Sequence, residues 1–575
     1  MVFRAERLVW LCGVLLFPLS GRAADGGEVS VRILPQPVST NHSAFRLGLR
    51  ADFTEHAEEM LQAERLQEPV IAAAIHALSA TNGVVGVTTA LEPNTGKVLY
   101  TVTNTGGKPD GLSLTATGLR KGVRHTLRVT CRRERGSAAM RFGFTPADGK
   151  QDETTGKRVT VNGNGSREVA LGVTPHRDGA FVCAFQIEPG SVMTFSGFSL
   201  MPEDAQEGFD SQALQALKMT GAGFLRWSAQ GGTNFYNWYD GVGPRVSRNG
   251  KGQAFGTFEA VRLCRLVDAQ PVFQVPVFQA ESADSRVPDR TTAVQLAADW
   301  VAYCNATGGH PLALLRLRHG SAEPLNVRQW ELIPSGGGQK DTAEFRETCR
   351  LVAAAMRAED PAIEVRVAAV LPPAMDKPDP YVTHVLERLA KGTAADREYF
   401  QAWYEALGAV GAALRRVNPG ATAQDRTCAP FEIRTVLQQG LYAKHMLREA
   451  GLLTMLVNHF PMTAALATDV DVSKQEGAAG AFRVQAEAAW GEDKSVLLVF
   501  VYNAGPEPQT VRIDLSALKR RFVLYAAEQV AADITSRRVL PTVPILRKQK
   551  AGSALSQVVL CEAAPSSLTR VLVKE

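Results

Sequence analysis

Five carboxylates stand where this sequence could do chemistry: Glu55, Glu281, Asp284, Glu331 and Asp425. Two carboxyl groups about 5–9 Å apart can split an acetal such as a glycosidic bond, one protonating the leaving oxygen while the other attacks or activates water. Each also has a plainer role. Glu331 lies inside the strand-like run VRQWELI, where alternation turns neighbouring side chains to opposite faces, so it reads first as a structural residue. Glu281 and Asp284 fit a solvated loop, and Glu55 fits a structural ion pair. Trp227, Tyr236 and Trp238 offer a stacking surface for an apolar sugar face, and core packing accounts for them equally well.

Other reactive residue types lack the spacing that chemistry needs. His319 and His459 have no metal-ligand or triad partners at suitable positions and read as structural. The cysteines form no CxxC or Cys/His pattern, so no metal site and no cofactor are expected. Cys131 and Cys183 fall in two strand-like segments of one region and are either a disulfide or two buried thiols. Gly336 to Gly338 is not followed by the Lys-Ser/Thr of a phosphate loop.

The elements that must position these residues come in three kinds. From Lys97 to Pro202 the hydrophobic period is two, in eight runs from KVLYTVTN to VMTFSGFSL separated by Gly, Asp, Asn and Pro, which predicts an antiparallel jelly roll. After Pro202 helices and strands alternate: SQALQALKMTGA then GFLRW, TFEAVRLCRLVDA then PVFQVPV, TTAVQLAADWVAYCN then VRQWELI, and FRETCRLVAAAMRAEDP then IEVRVAAVL. Repeated units of this length imply parallel strands and suit a (β/α)₈ TIM barrel. The stretches YFQAWYEALGAVGAALRRV and IRTVLQQGLYAKHMLREAGLLTMLV are expected to be later helices of the barrel, and strands return from Phe482 as a C-terminal β-sandwich. The divisions are 1–23 signal peptide, 24–44 strand joining the C-terminal sandwich, 45–96 first barrel segment, 97–202 inserted jelly roll, 203–470 barrel and 471–575 closing sandwich.

At 575 residues, 45% apolar and 21% charged, the chain has the composition of a folded protein of two or three domains. Its net charge of +5 is small, and the one dense basic cluster, Cys131 to Arg135, reads as a solvated hairpin end, so no nucleic-acid role is assigned. Arg4 and Arg7 precede the apolar run LVWLCGVLLFPLS, with small residues at Gly21 and Ala23, the pattern of a secretory signal that places the mature chain outside the cytoplasm, secreted or periplasmic. No segment is long and apolar enough for a membrane span.

Several stretches resemble the α-L-arabinofuranosidases of glycoside hydrolase family fifty-one. LRW at Leu225 to Trp227 with NWYDGVGPR at Asn237 to Arg245 is similar to that family's LRFPGG and YYWKDGIGPR. ADWVAYCN, Ala298 to Asn305, resembles its ADWVEYCN, and SLMPEDAQEGF its junction between jelly roll and barrel. The resemblance implies an enzyme of terminal arabinofuranosyl groups on plant polysaccharides, with Glu55, Arg226, Trp227, Asn234, Trp238 and Trp330 as substrate-binding residues. It also exposes a defect. The family's W-E-I-G-N-E ends in the general acid/base, but here Trp330 and Glu331 are followed by Pro334 at the Asn position and Ser335 at the acid/base position. The nucleophile segment aligns with NPGATAQDRTCAPF, putting Asp425 on the family's Asp and Arg426 on its nucleophilic Glu.

A serine hydroxyl is far too weak an acid to protonate a glycosidic oxygen, and losing a general acid typically costs roughly 10²–10⁴-fold in rate. The expectation is therefore a secreted relative of these enzymes that binds polysaccharide through its jelly roll and the remains of its cleft, with impaired catalysis. A working hydrolase that uses displaced carboxylates, with Glu331 and Asp425 as substitutes, is the second reading; a non-enzymatic structural protein of the cell surface is the third. Oligomeric state is not legible.

Overall fold

The computed structural model describes residues 29–37, 49–52, 61, 85–91, 98–148, 157–161, 165–228, 237–243, 255–278, 290–335, 343–367, 410, 431–432, 437–439, 445–447, 449–458, 462–471, 484–491, 495–503, 508–531, 545–549, 555–564 and 567–575.

The period-two region folds as nine strands in two antiparallel sheets. Asp110–Leu119, Gly179–Ile187, Ala139–Pro146 and Lys157–Thr160 make one sheet; Val85–Leu91, Val98–Asn104, Val192–Pro202, His125–Arg135 and Arg167–Val173 make the other. Alternation decides the faces: in His125–Arg135, Leu127, Val129 and Cys131 enter a core shared by both sheets, while Arg128 and Arg132 point to solvent. The sandwich starts at Val85 rather than Lys97, because Val85–Leu91 pairs antiparallel with Val98–Asn104. The basic cluster is not a hairpin end. Its strand and the next one lie in different sheets, and the chain crosses at Gly136, where φ is +83° and a Cβ would meet Ser191 Cα at 2.7 Å. Cys131 and Cys183 are buried free thiols, and loss of water around the thiolate pushes them up to about 11 and about 12.

The alternating region builds a parallel sheet from β1 (Leu49–Asp52), β2 (Phe224–Ser228), β3 (Gln270–Phe278), β4 (Gln329–Ser335), β5 (Glu364–Val367) and β6 (Phe431–Glu432), in the order β5-β4-β3-β2-β1-β6. The late strand β6 returns to the first strand, as in a sheet wrapping around an axis. Helices α1 (Ser211–Thr220), α2 (Thr257–Val267), α3 (Arg290–Asn305), α4 (Pro311–Arg318), α5 (Ala343–Glu359) and α6 (Glu449–Asn458) accompany it. Local signals set their ends. Asp210 accepts from the amides of Gln212 and Ala213 to start α1, and Gly221, at φ 61°, stops it. Two expectations change. The helix α3 does not lead straight into the strand of VRQWELI, because α4 intervenes. The long helix expected over 433–457 is instead a short antiparallel pair, Leu437–Gln439 with His445–Leu447, followed by α6 alone; Gly440 costs a continuous helix about 1 kcal/mol relative to Ala. The stretch YFQAWYEALGAVGAALRRV lies outside the described residues, apart from Val410.

The C-terminal strands form one nine-stranded sheet rolled over its own core, with edge residues Val559 and Cys561 sharing that core with Val499 and Val571 in mid-sheet. The strand Val29–Pro37 lies within it, antiparallel to Met462–Asp471 and parallel to Gln509–Asp514. Val496–Asn503 and Ser567–Lys574 are buried on both faces for a reason: one face fills this core, while Leu498, Phe500, Leu568 and Leu572 pack with Leu453 and Leu456 of α6. Arg570 fastens that junction. Its buried guanidinium donates to the Leu456 carbonyl at 2.6 Å and pairs with Glu528. Removing one partner of a buried pair costs about 3–5 kcal/mol, so Arg570→Met is expected to lower the free energy of unfolding by that amount, with a correspondingly lower denaturation midpoint, and Arg570→Met with Glu528→Leu to recover most of it. Equal midpoints for wild type and Arg570→Met would show that the junction is held by apolar contact alone.

Candidate functional site

Parallel register sorts the strand residues into two rows. Trp227 lies beside Phe273 and Phe273 beside Trp330; one position away, Arg226, Gln274 and Glu331 turn to the opposite face. The aromatic row meets α3. Trp300 contacts Trp227, Phe273 and Trp330 at centroid distances of 5.7, 5.4 and 5.4 Å, and Trp238 lies parallel to Trp300 at 6.4 Å. The indole N–H groups of Trp330, Trp300 and Trp238 donate to the Val327 carbonyl, Thr257 Oγ1 and the Leu296 carbonyl. Trp227, Trp238 and Trp330 are 2%, 2% and 1% exposed. That corrects the stacking reading: these rings fill the wall between strands and helices, with no face left for a sugar. Among the described residues the accessible ring here is Tyr239, stacked on Trp238 at 3.9 Å and donating to Asp299 at 3.2 Å, its hydroxyl pushed up to about 12 by burial and then by the Asp299 charge.

The opposite row is polar. Glu331 accepts from Gln274 Nε2 at 2.7 Å and lies 2.8 Å from Arg226 Nε, with both charged side chains about nine-tenths buried. The carboxylate is thus held between a guanidinium on one neighbouring strand and an amide on the other. It anchors the three strands to one another. Ser335 closes β4 opposite Phe278, the last residue of β3, and lies four residues, about 13 Å, beyond Glu331 along the strand. Glu331 therefore sits well below the strand end where chemistry is done in parallel barrels. Glu55, Asn234, Tyr236, Glu281, Asp284, Asp425, Arg426, His459 and the triple glycine lie outside the described residues. Among the described residues no cluster of His, Cys, Asp or Glu could hold a metal ion.

Sequence reading missed the residues that seat β4. Asn305 at the end of α3 accepts from the Val327 amide at 2.9 Å and donates to the Val327 carbonyl and to Asp360, both at 2.8 Å; Asp360 also takes Arg328 at 2.6 Å. His319 proves structural, with its Nδ1 2.8 Å from the Tyr303 hydroxyl, and buried Arg316 donates to the Tyr303 and Ala306 carbonyls. The segment ADWVAYCN is thus scaffold: its Trp, Tyr and Cys are core and its Asn aligns the following strand.

Residues 214–403 match the family model of the alpha-L-arabinofuranosidase 1 domain. The chain resembles the α-L-arabinofuranosidases of glycoside hydrolase family fifty-one. Alpha-L-arabinofuranosidase C of Emericella nidulans is 29% identical over 178 residues, covering 28% of this chain and 33% of that one. An exo-alpha-(1->6)-L-arabinofuranosidase of Bifidobacterium longum is 26% identical over 201 residues, covering 32% of this chain and 36% of the relative. The matched stretch spans about a third of the length of these curated relatives. The solved structure of an arabinose-bound α-L-arabinofuranosidase of the family superposes with a TM-score of 0.72 over 95% of this chain and 100% of that one at 15% identity, a likeness of fold.

Glu331→Ala leaves Arg226 buried without its counter-charge and is expected to destabilise the chain by about 3–5 kcal/mol in chemical denaturation. A change under about 1 kcal/mol would contradict the anchoring role.

Proposed function

We propose that this chain is a secreted or periplasmic protein on the arabinofuranosidase architecture, a (β/α)₈ barrel with an inserted jelly roll and a C-terminal sandwich, that recognises arabinose-containing plant-type polysaccharide and hydrolyses it poorly or not at all. The observation that carries the reading is the end of β4. Pro334-Ser335 stands there in place of the Asn-Glu pair that the resemblance calls for, and the nearest carboxylate on that strand, Glu331, is engaged by Arg226 and Gln274.

The chemistry follows from this exchange. Ser335 has no proton to offer at the acidity a leaving sugar oxygen needs, and Pro334 lacks the side-chain amide that would hold a sugar hydroxyl. Arg426, aligned on the nucleophile, carries a positive charge where an oxocarbenium-like transition state develops one, so it repels the state that the ancestral Glu would trap. Glu55 and Asn234 are the polar groups left to hold sugar hydroxyls, and binding outlasts turnover. The engagement of Glu331 weighs against a hydrolase with displaced carboxylates. Secretion is supported by the N-terminal signal pattern; among the described residues no helix is long and apolar enough to cross a membrane.

Two measurements on the wild-type chain test this. Calorimetry with neutral arabino-oligosaccharides is expected to give binding, while release of an aryl group from an aryl α-L-arabinofuranoside is expected to fall at least roughly 10²–10⁴-fold below that of an active family member. Rapid turnover abolished by substituting Asp425 or Glu331 would sink the proposal. Pro334→Asn, Ser335→Glu and Arg426→Glu together are expected to raise hydrolysis measurably above wild type.

A further inference from the structure

We infer that the sandwich of residues 85–202 is a docking module for an acidic polysaccharide, held by a cationic rim at the end of the sandwich away from the linker into the parallel domain. This builds on the glycan-binding reading above. Residues 85–202 hold fifteen Lys and Arg against nine Asp and Glu, a net charge of +6 in a chain whose total is +5. The same residues hold no Trp, and their seven Phe and Tyr rings all point inward: Phe144 stacks on Phe181 at 4.6 Å, Phe142 meets Phe185 at 5.4 Å, and Tyr100 and Phe198 pack on each other in the same core. A sandwich without an outward ring has no platform for stacking a neutral sugar. Charge is what it offers instead.

That charge is unevenly matched. On the outer face of the five-stranded sheet Arg128 pairs with Glu168 and Arg132 with Glu134. At the end from which Pro202 leads into the linker, Arg120 pairs with Asp204 and Arg124 with Glu203. At the other end the balance fails. Arg135 is registered against Val192, the first residue of the strand that ends at Pro202, and the crossing at Gly136 leads directly to Arg141. Arg141 stands opposite Arg158 across an antiparallel pair, both exposed. Like charges directly opposite destabilise a sheet, so folding gives no reason for this pair. Arg135 and Arg158 make no ion pair among the described residues, and Arg141 reaches Glu188 at 3.5 Å. Planar guanidinium groups accept carboxylates two bonds at a time, which suits a polymer bearing a carboxylate on each sugar. Nucleic acid is the poorer occupant, because single strands also require aromatic stacking.

Affinity electrophoresis of the full chain decides the matter, in gels containing polygalacturonate, neutral linear arabinan or single-stranded DNA. Wild type is expected to be retarded by polygalacturonate, less so as salt is added, and not by DNA. Arg135→Ser with Arg141→Ser and Arg158→Ser is expected to weaken that retardation roughly a hundred-fold, as three contacts each worth about a factor of five would give, and Arg158→Gln alone about five-fold. Circular dichroism and calorimetric binding of neutral arabino-oligosaccharides are expected to stay unchanged in both variants. Absence of retardation in wild type, unchanged retardation in the triple variant, or equal retardation by DNA would overturn the inference. Failure of arabino-oligosaccharides to bind wild type would instead count against the cleft reading.

Discussion

The pairing of Arg226 with Glu331, seconded by Gln274, is the constraint around which the rest of the site is arranged. Three neighbouring parallel strands contribute one polar residue each, and the two charged side chains are about nine-tenths buried. A charge in such a place must be matched, and once matched it is committed. The acid in WELIPS is spoken for before a substrate arrives. Because strand alternation is strict, the same register that brings these three groups together sends Trp227, Phe273 and Trp330 outward to Trp300. Polar anchor and aromatic wall are two faces of one arrangement.

On the proposed reading, this is how the chain keeps the look of a glycosidase while losing its chemistry. Segments that resemble the arabinofuranosidases build the wall and the anchor: Trp300, Tyr303 and Asn305 in α3, and Trp330 with Glu331 in β4. Selection on folding preserves such residues whether or not the strand ends carry catalytic groups. Pro334 and Ser335 lie beyond the anchor, toward the end of β4.

The sequence made the helix-strand alternation, the parallel wall and the antiparallel insert legible, because periods of 3.6 and two are direct images of helix and strand geometry. It was silent where one residue type serves two environments. An indole is equally suited to a sugar face and to a core, so Trp227 and Trp238 were ambiguous until burial assigned them. Their neighbours held a usable signal: Arg226 and Glu331 each adjoin a tryptophan, and a strand that turns its charge one way turns its indole the other. The start of the insert at Val85 was hidden because VGVTTAL carries little hydrophobic contrast. The division of 433–457 into a strand pair and α6 was hidden because its apolar residues satisfy either period.

The central claim is that no carboxylate of this chain can form the glycosyl bond of a retaining mechanism. Intact-mass analysis after prolonged incubation with an activated, slowly hydrolysed arabinofuranosyl donor measures that directly. The account predicts an unmodified chain, alongside full labelling of an active family member under the same conditions. A stoichiometric adduct that maps to an Asp or Glu side chain would contradict it.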